Sequence, residues 1–355
     1  MQISNRAAFR FLAGFFLSSF LLGTAAADEG PEPAVSGPAM LRNDHLVYLP
    51  FFSTAMPDRA RALAPQHWAL EIGYMDSNTI VESHNVTETD RVIVDAEVQR
   101  AELNVKYGLS PQWEIGGTLP YLVIGGGYMD SFIQSFEDAF GFVTPGARES
   151  RGKNEFRYLF RVNSQNLIDV SDKVITGLGD VPVYLKYQFR NEPGGFLPRV
   201  AARGILKLPT ATHFLLGNDR IDGGFGLLAE QPLPWRIFTF YNVDVTTVHL
   251  PRKLDTLDTD PVMVSGSLGF EHFLTNRLSW QMELTMATHP LPPFHPDMAT
   301  LNRKPMGVAL GGVYRFSKGT AVRVNAAENI NSAWSDFAWS QIGRASCRER
   351  VCQYV

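Results

Sequence analysis

Residues 101–122 read AELNVKYGLSPQWEIGGTLPYL. Leu103, Val105 and Tyr107 alternate with Glu102, Asn104 and Lys106. Beyond Gly108-Leu109-Ser110-Pro111, Trp113, Ile115, Gly117, Leu119 and Tyr121 alternate with Gln112, Glu114, Gly116 and Thr118. Successive side chains of a strand point to opposite faces, so a period of two on both arms describes a β-hairpin with one apolar and one polar face. Tyr107 and Trp113 flank the turn and Tyr121 stands at the far end. Aromatic rings at the ends of an apolar face suit strands that cross a bilayer, because such rings settle at the headgroup level. Upstream, Val92, Val94, Ala96 and Val98 also alternate, but the phase slips at Arg100. A β-bulge at that point is the expected cause.

Downstream the period changes. Gly125-Gly126-Gly127 precedes YMDSFIQSFEDAFG (128–141), in which Phe132, Phe136 and Phe140 recur every four residues. Ser131 and Gln134 have capping-box spacing and Gly141 is a suitable C-cap. The spacing predicts a short amphipathic helix with a phenylalanine stripe. Three glycines before it would let the chain turn sharply into a lumen. The segment Gly125, Gly126, Gly127, Tyr128, Asp130, Phe132, Phe136 and Phe140 is therefore the expected gate or plug; the alternative for its greasy face is packing alone.

The two ends differ from the rest. Residues 1–27 carry Arg6 and Arg10, a short apolar core over 11–22 and Ala25-Ala26-Ala27, the features of a cleaved secretory signal. Residues 28–39 (DEGPEPAVSGPA) are rich in Pro and Gly, and residues 28–65 are expected to form a mobile periplasmic arm. Within that arm the apolar residues 46–52 suit a short plug strand or a membrane-edge segment. Residues 342–351 read IGRASCRERV, which back-translates to a string resembling a sequencing-library adapter. Residues 342–355 are thus expected to be a non-native read-through tail, leaving a barrel over 66–341 with its closing strand cut short. Both cysteines, Cys347 and Cys352, fall in that tail, so neither a disulfide nor a metal site is read from them.

The formal net charge is −4 and becomes more acidic without the leader and tail. That balance disfavours nucleic acid as a partner. Mean hydropathy is −0.08, and no later apolar run reaches the length of about 20 residues that a membrane helix needs. Polar residues alternating with apolar ones give an outer-membrane barrel this composition, with lipid outside and water inside.

Four more hairpins repeat the design, with short turns at 190–198, 232–234, 274–276 and 317–319 joining alternating segments. Longer polar loops join their opposite ends. One-sided loop length matches a periplasmic and an extracellular face. With every short turn on the periplasmic side, the strand at 113–121 runs up and that at 181–189 runs down. Residues 123–176 then form a single excursion. The count gives about twelve antiparallel strands, an all-β transmembrane barrel carrying one short helix in a long loop. Inward Glu102, Lys106, Glu114, Lys186 and Gln188 would make its lumen polar.

Several of these segments carry a resemblance: RNDHLVYLPFF (42–52), the hairpin, the glycine-rich helix segment, GLGDVPVYLKYQF (177–189) and ILKLPTAT (205–212). Together they are similar to a proteobacterial family catalogued as domain of unknown function 3187, whose members are presumed outer-membrane proteins. The resemblance implies a barrel in the outer membrane and supplies no substrate or reaction.

Chemistry-bearing patterns are sparse. There is no GxSxG string. His289, His295 and Asp297 have the residue types of a metal site, but the four prolines of that stretch mark a rigid loop; Asp255, Asp258 and Asp260 resemble a calcium loop without the spacing of an EF-hand. An external loop is the preferred reading of both. The expected function is passive passage of a small solute, with an apolar one in view, across the outer membrane, without cofactor, metal or covalent chemistry. The expected partners are outer-membrane lipids, lipopolysaccharide and the barrel-assembly machinery. A lipid-modifying outer-membrane enzyme and a closed structural barrel are the alternatives.

Overall fold

The computed structural model describes residues 36–39, 56–140, 152–189, 198–254, 257, 261–288, 296–298, 301–317, 319–330 and 335–348. Strands β1 (His67–His84), β2 (Arg91–Gly108) and β3 (Trp113–Gly125) lead to helix α1 (Asp130–Phe140). Three short strands follow: β4 (Arg157–Val162), β5 (Gln165–Ser171) and β6 (Ile175–Leu178). The wall continues through β7 (Val181–Gln188), β8 (Arg199–Leu208), β9 (Asp222–Leu233) and β10 (Ile237–Thr247). It ends with β11 (Val262–Phe273), β12 (Leu278–Ala287), β13 (Met306–Arg315), β14 (Thr320–Asn329) and β15 (Ser335–Arg348).

Twelve of these strands form a closed antiparallel barrel. Neighbours pair in order from β7 to β15, β15 pairs with β1, β1 with β2, β2 with β3, and β3 with β7. Closure leaves no barrel edge with unpaired backbone groups, the condition for strands to stand in lipid. The seam runs from His67↔Arg348 to Ile80↔Ser335. The expected barrel ends at Gln341 with a shortened last strand; here β15 carries residues 342–348 into the same register against β1.

Alternation holds throughout. Leu70, Ile72, Leu103, Ile115, Leu119, Leu185, Leu227, Val243 and Val324 are exposed on the outward face. Glu71, Glu102, Asn104, Glu114, Lys186 and Arg203 are buried on the inward one. Aromatic pairs flank the short-turn end: Trp68 with Tyr107 (4.4 Å between centroids), Trp113 with Tyr187 (4.7 Å) and Tyr314 with Phe316 (5.0 Å). The β9–β10 turn lies two residues beyond the expected place. Pro232 and Leu233 still pair with β10, and Trp235 and Arg236 turn the chain at φ values of 61° and 60°.

No bulge occurs at Arg100. The β1–β2 register is unbroken from Trp68↔Tyr107 to His84↔Arg91. What changes is the environment of the two faces. In the short-turn half of β2 the apolar residues look outward to lipid. In the long-loop half Val92, Val94, Ala96 and Val98 look inward, into a buried apolar cluster with Leu122, Ile124, Phe156, Tyr158, Phe160, Leu215, Leu216, Leu250 and Met298. The apolar stripe crosses the wall while the backbone phase stays constant.

The excursion between β3 and β7 follows the direction count. β6 and β7 both pair antiparallel with β3, one above the other. β4 and β5 form an extra hairpin whose first strand takes over the edge of β2 above the point where β3 leaves it.

Candidate functional site: an occupied lumen

The described parts of residues 28–65 do not lie free in the periplasm. Residues 36–39 and 56–65 run inside the barrel, because the inward side chains offer them a partner at almost every residue. The amides of Asp58, Ala62 and Leu63 donate to Asn242 Oδ1 (2.9 Å), Gln188 Oε1 (2.8 Å) and Glu114 Oε2 (2.8 Å). Arg203 donates to the carbonyl of Met56 at 2.6 Å. At the exit, Gln66 N meets Gly108 O at 2.8 Å and the chain turns into β1.

Two clamps hold this plug. In the first, Asp58 lies between Lys106 (2.8 Å) and Lys186 (3.0 Å), while Lys186 also reaches Glu114 at 2.8 Å. Burial alone would raise the Asp58 carboxyl, but the two lysines hold it well below the usual range. Tyr184 crosses β3 to donate to Glu114 at 2.9 Å, a path open only because residue 116 is glycine; a Cβ there would lie 2.5 Å from the tyrosine ring. Arg59 joins the clamp by pairing with Glu230 at 2.8 Å, opposite Arg199 at 2.8 Å.

The second clamp grips Ser36. Its amide donates to Glu271 Oε2 (3.0 Å), its hydroxyl accepts from Arg315 (2.8 Å) and its carbonyl from Arg323 (3.0 Å). Gln281 and Asn325 bind the carbonyls of Gly37 and Ala39 at 2.6 and 3.0 Å. A cavity of about 340 Å³ remains between the two passes, lined by Asp58, Arg59, Arg61, Lys106, Glu114 and Lys186 among others. Buried oxygens of Glu71 and Glu102, and Nε and one terminal nitrogen of Arg323, have no protein partner. Burying such groups dry is costly, so this half of the lumen suits water.

At the long-loop end, residues 209–221 fold inward over the lumen. Lys207 pairs with Asp180 (3.0 Å) and Asp222 (2.6 Å), and Asp180 accepts the amides of Ala211 (3.1 Å) and Asn218 (3.1 Å). His249 Nδ1 lies 2.6 Å from Asp222, so this histidine–carboxylate pair belongs to the loop latch. Lys253 sits 4.0 Å over the Phe214 ring and joins a second loop to the lid. Burial and then Lys253 lower the pKa of His213 within this lid.

The structure brings Glu102, Lys106, Glu114, Lys186 and Gln188 into the lumen, and all but Glu102 contact the plug or its clamps directly. It does not bring α1 there. The helix starts at Asp130, and no Ser131–Gln134 capping box forms. Instead the amides of Tyr128 and Met129 donate to Glu97 Oε2 at 2.8 and 2.7 Å. Asp130 accepts from Asn78 (3.0 Å) and from the Asn154 amide (2.6 Å). Asn78 and Glu97 are partners in register on the outward face, so the base of α1 lies outside the wall. Gly127 makes that approach possible at φ 61°; a Cβ would overlap the Glu97 carboxyl.

The side chains of Phe136 and Phe140, residues 42–52, and His289, His295, Asp255, Asp258 and Asp260 lie outside the described residues. Asp297 accepts the Val86 amide at 3.2 Å and ties its segment to the β1–β2 turn. No group of three or more metal-ligating side chains occurs among the described residues.

Among solved structures, the chain is similar to an outer membrane channel from Pseudomonas putida F1, with 12% identity, coverage of 81% of this chain and 98% of that one, and a TM-score of 0.52. It also matches the NanC porin (8% identity, 78% and 98% covered, TM-score 0.43) and the Pseudomonas putida toluene transporter TodX (12%, 89% and 95%, 0.38). At these identities the likeness concerns the fold. No curated protein sequence matches. Residues 46–340 match the family described as "Protein of unknown function (DUF3187)", and the chain belongs to that family.

Proposed function

We propose that this protein is a passive outer-membrane channel for a small solute, closed in the described state by its own N-terminal segment. The observation that supports this is the way the plug is held. Apart from small apolar contacts at Ala39, Met56 and Ala60, its contacts with the wall are hydrogen bonds and ion pairs to inward polar side chains, which water can replace when the segment leaves. An apolar core would not exchange so readily. The barrel, its outward apolar belt and the channel-like folds it resembles are consistent with this reading and with the outer membrane as its location. The solute enters the reading only by size and solubility in a wet, charge-lined passage. No covalent chemistry is part of it.

The test is single-channel recording on the full chain and on a variant lacking residues 36–57. Both should show heat-modifiable gel mobility, and the deletion should give larger and longer openings. A folded deletion variant that conducts no more than the full chain would sink the channel reading. The closed structural barrel is the second reading, favoured by the apolar cluster that fills the long-loop end. It predicts silence from both proteins.

A further inference from the structure

We propose that α1 and the two residues leading into it form a membrane-surface element whose exposed face, carrying Tyr128 and Phe132, seats on outer-leaflet lipid at the boundary between headgroups and acyl chains. The inference rests on the barrel standing in a bilayer with its short turns on the periplasmic side, and is independent of the channel reading.

Strand alternation supplies the first step. Leu70, Ile72 and Tyr74 are outward on β1, and so are Asp76, Asn78 and Ile80 further up the same unbroken strand. These last three are 0%, 1% and 5% exposed, although they sit on the outer surface of the wall. Something on the outside covers them. The bonds from Glu97 to the Tyr128 and Met129 amides, and from Asn78 to Asp130, place the first turn of α1 there.

The helix then divides its own side chains. Met129, whose carbonyl accepts the Ile133 amide at 2.9 Å as the helix begins, and Ile133 are buried, whereas Tyr128 just before the helix and Phe132 in its first turn are 55% and 56% exposed. Ser131 and Ser135 beside them are exposed too. A stripe of rings mixed with hydroxyls suits the interface better than the hydrocarbon centre.

Position supplies the last step. Just below the helix, Tyr74 packs on Trp339 at 5.3 Å on the outward face. Tyr121 on β3 is outward and half exposed. These rings continue the lipid-facing belt of Leu70, Ile72, Leu103 and Leu119 upward, and aromatic side chains collect where that belt meets the headgroups. The exposed face of α1 is contiguous with an interface the barrel already has, so lipid is its occupant.

Spin labelling tests this in phosphatidylcholine–phosphatidylglycerol vesicles. In a background of Cys347→Ser and Cys352→Ser, labels at Phe132→Cys and Tyr128→Cys are compared with Ile72→Cys in the belt and Val86→Cys on the exposed β1–β2 turn. Heat-modifiable mobility establishes that each variant is folded. At both helix positions, collision with oxygen should exceed collision with a water-soluble nickel chelate, at a ratio between those of the two controls. Nickel dominance equal to that at position 86 would place the helix in water and overturn the proposal. Shielding from both probes would place it against protein and overturn it equally. A label at position 72 that reads as water would instead overturn the membrane-spanning barrel beneath both proposals.

Discussion

The two halves of the lumen are built from the same strands and solve opposite problems. In the long-loop half, inward valines, isoleucines and phenylalanines from β2, β3 and β4 bury one another beneath folded-in loops. In the short-turn half, inward lysines, arginines and carboxylates bind a stretch of the chain's own backbone. The first half is closed as a protein core is closed, by removing apolar surface from water. The second is closed by directional bonds that have a competitor in water. A barrel wall sets which face a residue occupies; the content of the lumen at each height sets what that residue must be.

Lys186 offers the largest break in the comparison. Lys186→Met leaves Asp58 and Glu114 buried without the cation between them, and removal of one partner from a buried pair costs about 3–5 kcal/mol. The midpoint of heat modification should fall, with openings appearing in recordings; an unchanged midpoint would show the charged half to be slack.

Acid should act on the same clamp more gently, because Glu114 still holds Lys186. The folded pKa of Asp58 lies well below its ordinary value of about 3.9. Its contribution is therefore complete above that ordinary value and is lost as pH falls through the lower folded value. Open probability should rise only below about pH 4, and Asp58→Asn should open at neutral pH with little further response to acid. A rise between pH 5 and 7 would point to another group.

The apolar half is tested by Val94→Asn, which buries an amide among hydrocarbon and should cost about 1–3 kcal/mol. Asn104→Val, at an inward site of the charged half, should cost less. Equal effects would mean that the two halves are not distinct environments. The smallest effect on conductance belongs to Gly127→Ala. A left-handed backbone disfavours a Cβ by about 1–2 kcal/mol, and here the Cβ also meets Glu97. The base of α1 should loosen, read as faster amide exchange at Tyr128 and Met129, while conductance stays as in the parent protein.

Strand alternation made much of this legible beforehand. A period of two determines faces, so Glu102, Lys106, Glu114, Lys186 and Gln188 could be aimed inward from residues 101–122 and 181–189 alone. Loop length determined which end was which, and the direction count enclosed residues 123–176 in one excursion. Three features lay beyond that signal. The plug has no period of its own. Residues 56–66 show only scattered charges, and the partners of Asp58 and Arg59 are 48 to 184 residues away. The crossing of the apolar stripe at Arg100 mimics a bulge, because sequence records a change of polarity without saying whether backbone or surroundings moved. An amphipathic helix has a face to bury, but its composition is the same whether the wall meets it from inside or outside. Glu97, the residue that decides the matter, is in sequence one more carboxylate between alternating apolar residues.

The plug also imposes an order on assembly. Ser36 and Ala39 find their partners at Glu271, Arg315 and Asn325, across sequence separations of 235, 279 and 286 residues. Contacts that distant form late, and the seam between the first and last strands joins positions equally far apart. The thread must be inside when the ring shuts, or it must enter afterwards through a mouth already narrowed by loops. The first route makes enclosure and closure one event. During refolding into vesicles, protection of residues 36–66 from protease should then appear in the same kinetic phase as heat-modifiable mobility. The N-terminal segment would thus be caught by the barrel as it forms, like a cord tied inside its own knot.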